Sequence, residues 1–216
     1  MTDFAVTGLL FDCDGVLVDS LERAADAWDA WSSEWAPQFD FRRDVVHGRR
    51  AADTVAELVA PEVWESAVAS LDELELHYVD GIAAIDGVDA LLRSLPPERW
   101  AVVTSGIRRL ALARIAAPGL PTPNALVTAE DVSNGKPDPE PYRRGAEALG
   151  LDPADCVVFE DAPAGIRSAI DAGIGVVVGI GASALDAGAT VVVADFTAVS
   201  YRDGVLAIDD ARRLDR

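Results

Sequence analysis

Six short aliphatic and β-branched runs punctuate the chain: Ala5 to Phe11, Trp100 to Thr104, Ala125 to Thr128, Cys156 to Glu160, Ile174 to Val178 and Val191 to Ala194. Their length and branching predict buried strands. Between several of them apolar positions recur at helical spacing, over Val88 to Leu95, Ile107 to Ala116, Pro141 to Leu149 and Ala164 to Ala172, and two of these helices meet a glycine stop at Gly150 and Gly173. Strands alternating with helices predict a parallel sheet covered on both faces. Right-handed crossovers then leave a doubly wound α/β sheet as the expected architecture. Active sites of such sheets lie at the carboxyl ends of the strands.

One stretch breaks the alternation. From about Leu17 to Ala83 the pattern is helical only, interrupted at Pro37, Gly48 and Pro61. We read residues 17–83 as an inserted helical domain and residues 1–16 with 84–216 as the α/β core. Trp28, Trp31 and Trp35 share one face of its first helix, and Trp64, Val68, Leu71 and Tyr78 one face of its last. The spacing predicts a small core for the insertion rather than a ligand pocket. The acidic run Asp72, Glu73, Glu75 and the tail Asp209, Asp210 are expected to be solvated, and His77 is expected on a helix surface.

Composition narrows the class of partner. The chain has 216 residues, with 18 Lys and Arg against 37 Asp and Glu, a net charge of −19. Clustered basic charge is what nucleic acid and anionic membranes require, so neither is an expected partner. Any phosphate must be bound by local groups. Cys13 and Cys156 lie inside apolar runs and read as packed, reduced thiols, which predicts a cytoplasmic protein. The N-terminus lacks a basic leader, and the uncharged stretch Ala172 to Leu185 is short and glycine-broken, so no signal peptide or membrane span is expected. A monomer is expected. Of the 18 basic residues 17 are Arg, and Lys136 is the single Lys, so its location matters.

The candidate chemistry clusters at predicted strand ends. The first strand runs into Asp12-Cys13-Asp14-Gly15, which alone also reads as an Asp-Gly hairpin. Thr104-Ser105-Gly106 ends the second strand and opens a helix, a cradle for phosphate or an ordinary N-cap. Lys136 lies in Gly135-Lys136-Pro137-Asp138-Pro139, where Pro137 holds the lysine backbone extended; the alternative is a solvent-facing loop lysine. Glu160-Asp161 ends the fourth strand and could merely cap the next helix. Together Asp12, Asp14, Glu160 and Asp161 would bring up to four negative charges into one site, which calls for a cation. Oxygen-only ligands select Mg²⁺ over Zn²⁺, and Mg²⁺ is commonly shared with substrate phosphate. The set predicts phosphoryl transfer: Mg²⁺ and Lys136 neutralise the phosphoryl oxygens, Thr104 and nearby amides hold them, and a carboxylate attacks in line. An Asp two residues from that nucleophile can serve as general acid and then general base.

The stretches FDCDGVLVDS, VVTSG, GKPDPEPY and VVFEDAPAGIRSA resemble the four ordered motifs of the haloacid dehalogenase superfamily, and the insertion resembles its helical C1 cap. AWDAWSSEW, HGRR and TAEDVSNGKPDPEPY are similar to sugar and polyol phosphatases of the beta-phosphoglucomutase-like branch. The resemblance covers essentially the whole chain. It implies Asp12 as nucleophile and metal ligand, and Asp14 as general acid/base whose backbone carbonyl also ligates Mg²⁺. It implies Asp161 as the main second carboxylate ligand with Glu160 beside it, Thr104 and Lys136 on the phosphoryl group, and Ser105 and Gly106 as backbone N–H donors. Asp19 and Ser20 would form the hinge into the cap.

Departures from the family pattern narrow the activity. Phosphonatases need a cap lysine, and this cap has none. Dehalogenases lack the acid that Asp14 supplies. Sugar phosphomutases carry a cap histidine where this chain has Ala24. The expected function is a phosphoric monoester hydrolase acting on a small phosphorylated metabolite, a sugar or polyol monophosphate. The alternatives are a phosphomutase of the beta-phosphoglucomutase type and a non-catalytic phosphoester-binding module. In the cap, His47-Gly48-Arg49-Arg50 is expected to face the site mouth and set specificity, unless its arginines pair with the cap's own acids.

Overall fold

The computed structural model describes residues 1–214. The chain opens on β1 (Thr2–Ala5) and β2 (Gly8–Phe11), turns into the two-residue β3 (Val18–Asp19), and runs through α1 (Leu21–Trp35), α2 (Phe41–Asp44), α3 (Ala51–Leu58) and α4 (Trp64–His77). It returns by β4 (Ala83–Ala84) to α5 (Val88–Ser94), β5 (Trp100–Val103), α6 (Arg108–Ala116), β6 (Ala125–Val127), α7 (Glu140–Ala148) and β7 (Cys156–Glu160). Then follow α8 (Pro163–Ala172), β8 (Val176–Ile180), β9 (Val191–Val193), β10 (Val199–Arg202) and β11 (Val205–Ile208).

Six strands form one parallel sheet in the order β6-β5-β2-β7-β8-β9. This is the doubly wound arrangement that the alternation predicts. Successive strand side chains point to opposite faces. Accordingly Leu9, Phe11, Val102, Val157 and Phe159 belong to one buried cluster, and Leu10, Ala101, Val103 and Val158 to the other. A sheet covered on both faces needs unbroken apolar strands, and every residue of β2, β5, β7 and β8 is buried. Helix α7 approaches the second face so closely that a Cβ on Gly145 would lie 2.6 Å from Val103 Cγ2. Because β2 is central and the chain leaves it in both directions, its carboxyl end is the switch point where such sheets bind ligands.

The four helices between β3 and β4 carry their own core, built on Trp28, Trp31, Val55, Ala67 and Leu71, with Trp35, Trp64 and Val68 packed against it. The Trp31 Nε1 donates to the Ala67 carbonyl at 2.8 Å, tying α1 to α4. Tyr78 does not join this core, because α4 ends at His77 and Tyr78 is its C-cap. Strands β3 and β4 pair antiparallel, Asp19 opposite Ala83, so the segments entering and leaving the insertion are bonded to each other.

The apolar run from Ala5 to Phe11 is two strands, broken at Val6 and Thr7. Strand β1 leaves the main sheet for a separate antiparallel sheet of order β1-β11-β10. The β10–β11 hairpin turns on Asp203 and Gly204, with φ of 52° and 82°, the backbone of a tight two-residue turn. No described helix is long and apolar enough to cross a membrane. Cys13 and Cys156 are buried free thiols, and burial raises both, Cys156 to about 11.

Phe196 is 2% exposed and its ring lies 6.0 Å from Phe11 and 5.2 Å from Phe159. Phe196→Ala should cost about 3–5 kcal/mol in urea unfolding. A loss below about 1 kcal/mol would show that this aromatic cluster does not hold the sheet.

Candidate active site

Asp12 is the first residue past β2. Its N–H donates to the Phe159 carbonyl at 3.0 Å, which pins it between β2 and β7. Its Oδ1 accepts from Lys136 Nζ at 2.7 Å. The same ammonium donates to Glu160 Oε1 at 2.7 Å and to the Val103 carbonyl at 3.1 Å, so its three protons meet three acceptors. Lys136 is therefore a buried, positioned charge, 2% exposed, and not a solvent-facing loop residue.

Glu160 is fully buried and its oxygens are occupied. Besides Lys136, Oε1 accepts from the Tyr142 hydroxyl at 2.9 Å, and Oε2 from the Ala162 N–H at 3.0 Å. Room for this carboxylate comes from Gly165, where a Cβ would sit 1.6 Å from Oε1. Among the described residues the Asp161 carboxylate takes no hydrogen bond or ion pair; its backbone carbonyl accepts from Ser183 Oγ at 2.9 Å. Oxygens of Asp12, Glu160 and Asp161 lie within 4.8 Å of one another. The turn after β2 closes on Asp161 at Gly15, whose φ is 78° and where a Cβ would lie 2.3 Å from Asp161 Oδ2.

One ammonium does not balance this cluster. Burial, opposed by Lys136 and reinforced by Glu160 and Asp14, pushes Asp12 up to about 7. Burial first, then Glu160 and Asp12, raises Asp161 well above the usual carboxylate range. Burial works against the Lys136 charge, but Asp12 and Glu160 outweigh it and its pKa is raised. The lysine is thus charged while the carboxylates lack a second counter-charge. A compact oxygen donor set with that deficit fits a hard divalent cation such as Mg²⁺.

Thr104, just past β5, is 4% exposed. Its Oγ1 accepts from the Gly106 N–H at 3.1 Å, a bond within that turn. Ser105 Oγ donates to the Gly48 carbonyl at 2.6 Å and so joins the core to the insertion. Asp12, Asp14, Thr104, His47 and Arg49 border one cavity of about 110 Å³. Arg50 does not face it: its guanidinium pairs with Asp53 at 2.9 Å and donates to the Ser133 carbonyl at 3.2 Å. Arg49 pairs with Glu57 at 2.6 Å, so both arginines take acids of helix α3 as partners. His47 is edge-on to Phe41 with ring centroids 5.7 Å apart, and burial lowers its pKa. Trp28 and Phe41 also form the cavity wall, so Trp28 is both core and pocket.

The expectation of a solvated acidic run is corrected at Glu75. It is 7% exposed because α4 packs on α6, where Arg114 Nη2 reaches Glu75 Oε1 at 3.0 Å. Arg114 Nη1 lies 3.0 Å from Asp14 Oδ1, which also accepts from Ser20 Oγ at 2.5 Å. Sequence reasoning missed Arg114, Glu75 and Tyr142. Only Tyr142 carries a signal, as the tyrosine of GKPDPEPY in the first turn of α7.

A family model described as haloacid dehalogenase-like hydrolase matches residues 6–173. The chain belongs to the haloacid dehalogenase-like hydrolases. Hexitol phosphatase A of Escherichia coli (strain K12) is 41% identical over 175 residues, covering 79% of this chain and 81% of that protein. Glycerol-1-phosphate phosphohydrolase 2 of Saccharomyces cerevisiae is 37% identical over 181 residues, 78% of this chain and 72% of that one. The solved structure of a hydrolase from Pseudomonas syringae is similar at a TM-score of 0.77 and 27% identity, covering 87% and 93% of the two chains. Within this hydrolase fold, Gly165 is the clearance on which the Glu160–Lys136 contact depends. Gly165→Ala should lower both melting temperature and turnover, the latter by about tenfold or more, whereas Tyr142→Phe, which removes a single hydrogen bond, should cost about 1–2 kcal/mol at most. A Gly165→Ala protein with wild-type melting and turnover would contradict this role.

Proposed function

We propose that this hydrolase is a Mg²⁺-dependent phosphatase that cleaves a small sugar or polyol monophosphate through an aspartyl-phosphate. The observation that carries the reading is the Asp12 carboxylate held at 2.7 Å by Lys136, beside the unpartnered Asp161 carboxylate, at the switch point of the sheet. The helical segment 17–83 is read as a cap on the core of residues 1–16 and 84–216, hinged at Asp19 and Ser20.

Asp12 is the nucleophile. A carboxylate oxygen attacks phosphorus in line, the bond to the leaving oxygen breaks, and Asp14 gives that oxygen a proton. Asp14 then takes a proton from water, which attacks the same phosphorus, releases inorganic phosphate and regenerates Asp12. Lys136 offsets charge on the phosphoryl oxygens, and Thr104 borders them. Asp12, the Asp14 backbone carbonyl and Asp161 would hold Mg²⁺, which supplies the missing counter-charge to the carboxylates and the phosphoryl group. Glu160 is assigned to anchoring Lys136, since its oxygens are already bonded.

The leaving-group side favours a small, uncharged, hydroxylated fragment. The cavity of about 110 Å³ is far below the roughly 300–1,000 Å³ of drug-sized sites. Its wall includes Leu21, Trp28 and Phe41, and both of its arginines are already paired, Arg49 with Glu57 and Arg114 with Asp14 and Glu75, so among the described residues neither is free for a second anionic group. Ala24 lines the cavity and offers no acid or base to return the phosphate to a second hydroxyl, so water takes it and hydrolysis prevails over mutase chemistry. The relatives named for hexitol and glycerol-1-phosphate support a polyol ester. A silent binding module is disfavoured because Asp12, Asp14, Lys136 and Asp161 are all present.

Phosphate release from a panel of sugar and polyol monophosphates with Mg²⁺ tests this reading. With a hexose 1-phosphate the expected product is free phosphate; 6-phosphate without release would establish a mutase. Asp12→Asn should retain the fold and lose at least about 10⁴-fold in turnover, and activity near wild type would contradict the nucleophile assignment. Chelation should abolish release and lower the melting temperature, and added Mg²⁺ should restore both, since a ligand of the folded state stabilises it. Full turnover in excess chelator would overturn the metal assignment.

A further inference from the structure

Arg114 belongs to core helix α6, yet its guanidinium bridges two carboxylates from other parts of the chain. Nη1 reaches Asp14 in the turn after β2 and Nη2 reaches Glu75 on cap helix α4, each at 3.0 Å. The same seam carries a second Arg–Glu pair, Arg109 with Glu73 at 2.7 Å, whose side chains are 50% and 69% exposed. Those of Arg114 and Glu75 are 6% and 8% exposed. A buried ion pair is a poor means of stabilising a fold, because apolar side chains of equal volume do as well or better. Arg114 also keeps its Nε buried without a partner, a further cost that packing does not repay.

What the pair does accomplish is local. Asp14 Oδ1 accepts from Ser20 Oγ and is ion-paired with Arg114 Nη1 at 3.0 Å, which leaves Oδ2 as the oxygen without a partner among the described residues. The geometry points to Arg114 as a positioning residue: it fixes Asp14 through Oδ1 so that Oδ2 serves the leaving group, and Glu75 makes that placement conditional on α4 being seated against α6. A planar guanidinium can hold two carboxylates in fixed relation; an ammonium cannot. Cap seating and the proton donor are thereby linked by one buried side chain. The inference rests on the acid/base reading of Asp14.

The test compares kcat/KM, which reports the steps through leaving-group departure, for a polyol phosphate and for p-nitrophenyl phosphate. The first needs a proton on its leaving oxygen and the second does not. Arg114→Met should lose roughly 30-fold on the polyol ester, mainly in kcat, and under about threefold on the aryl ester. Glu75→Gln should shift the same ratio in the same direction by about fivefold, and it decides the matter if Arg114→Met does not fold by thermal melting. Equal losses on both esters, a loss carried wholly by KM, or no loss in folded protein would overturn the inference. Asp14→Asn is the control: if it shows the leaving-group split and the other two do not, Arg114 has no positioning role. If Asp14→Asn shows no split, the acid/base reading itself fails.

Discussion

Lys136 Nζ lies 2.7 Å from Asp12 and 2.7 Å from Glu160, with its side chain 1% exposed. Carboxylates at the ends of β2 and β7 cannot share a dry pocket without a charge of opposite sign between them. The surroundings are shaped to that one contact. Tyr142 and the Ala162 N–H complete the bonding of Glu160, and Gly165 vacates the space the carboxylate fills. In a chain that otherwise uses arginine, the exception falls where three acceptors converge on one point, which suits a compact ammonium and not a planar fork.

The fold delivers these groups without needing them to be near in sequence. Parallel pairing sets β2 between β5 and β7, so Asp12, Thr104 and Glu160 meet at one sheet edge. The remaining negative excess, visible in the raised Asp12 and Asp161 carboxyls, is the charge that a divalent cation would offset. The helical insertion has its own core, and its polar contacts with the rest of the chain include Ser105 with the Gly48 carbonyl, Arg50 with the Ser133 carbonyl, Arg109 with Glu73 and Arg114 with Glu75.

The parallel sheet was legible because strands buried on both faces have to be continuous apolar runs, as β5 and β7 are. The antiparallel β1-β11-β10 sheet was not read, although the Asp203-Gly204 turn between alternating strands is a recognisable hairpin signal. At the site, Asp12, Lys136 and Asp161 stood out because type and position at a strand end jointly suggest chemistry. Glu75 and Arg114 did not, since charge on a helix face reads as solvated until a second helix covers it, and the packing of α4 on α6 is a tertiary fact.

The proposed mechanism requires a transient covalent bond between Asp12 and phosphorus. Rapid quenching during turnover of a polyol phosphate with Mg²⁺, followed by borohydride reduction and peptide mass spectrometry, would convert an acyl phosphate at position 12 to homoserine. The account predicts that conversion at Asp12 and at no other carboxylate. Normal phosphate release with Asp12 unmodified, or with the label on Asp14, Glu160 or Asp161, would contradict it.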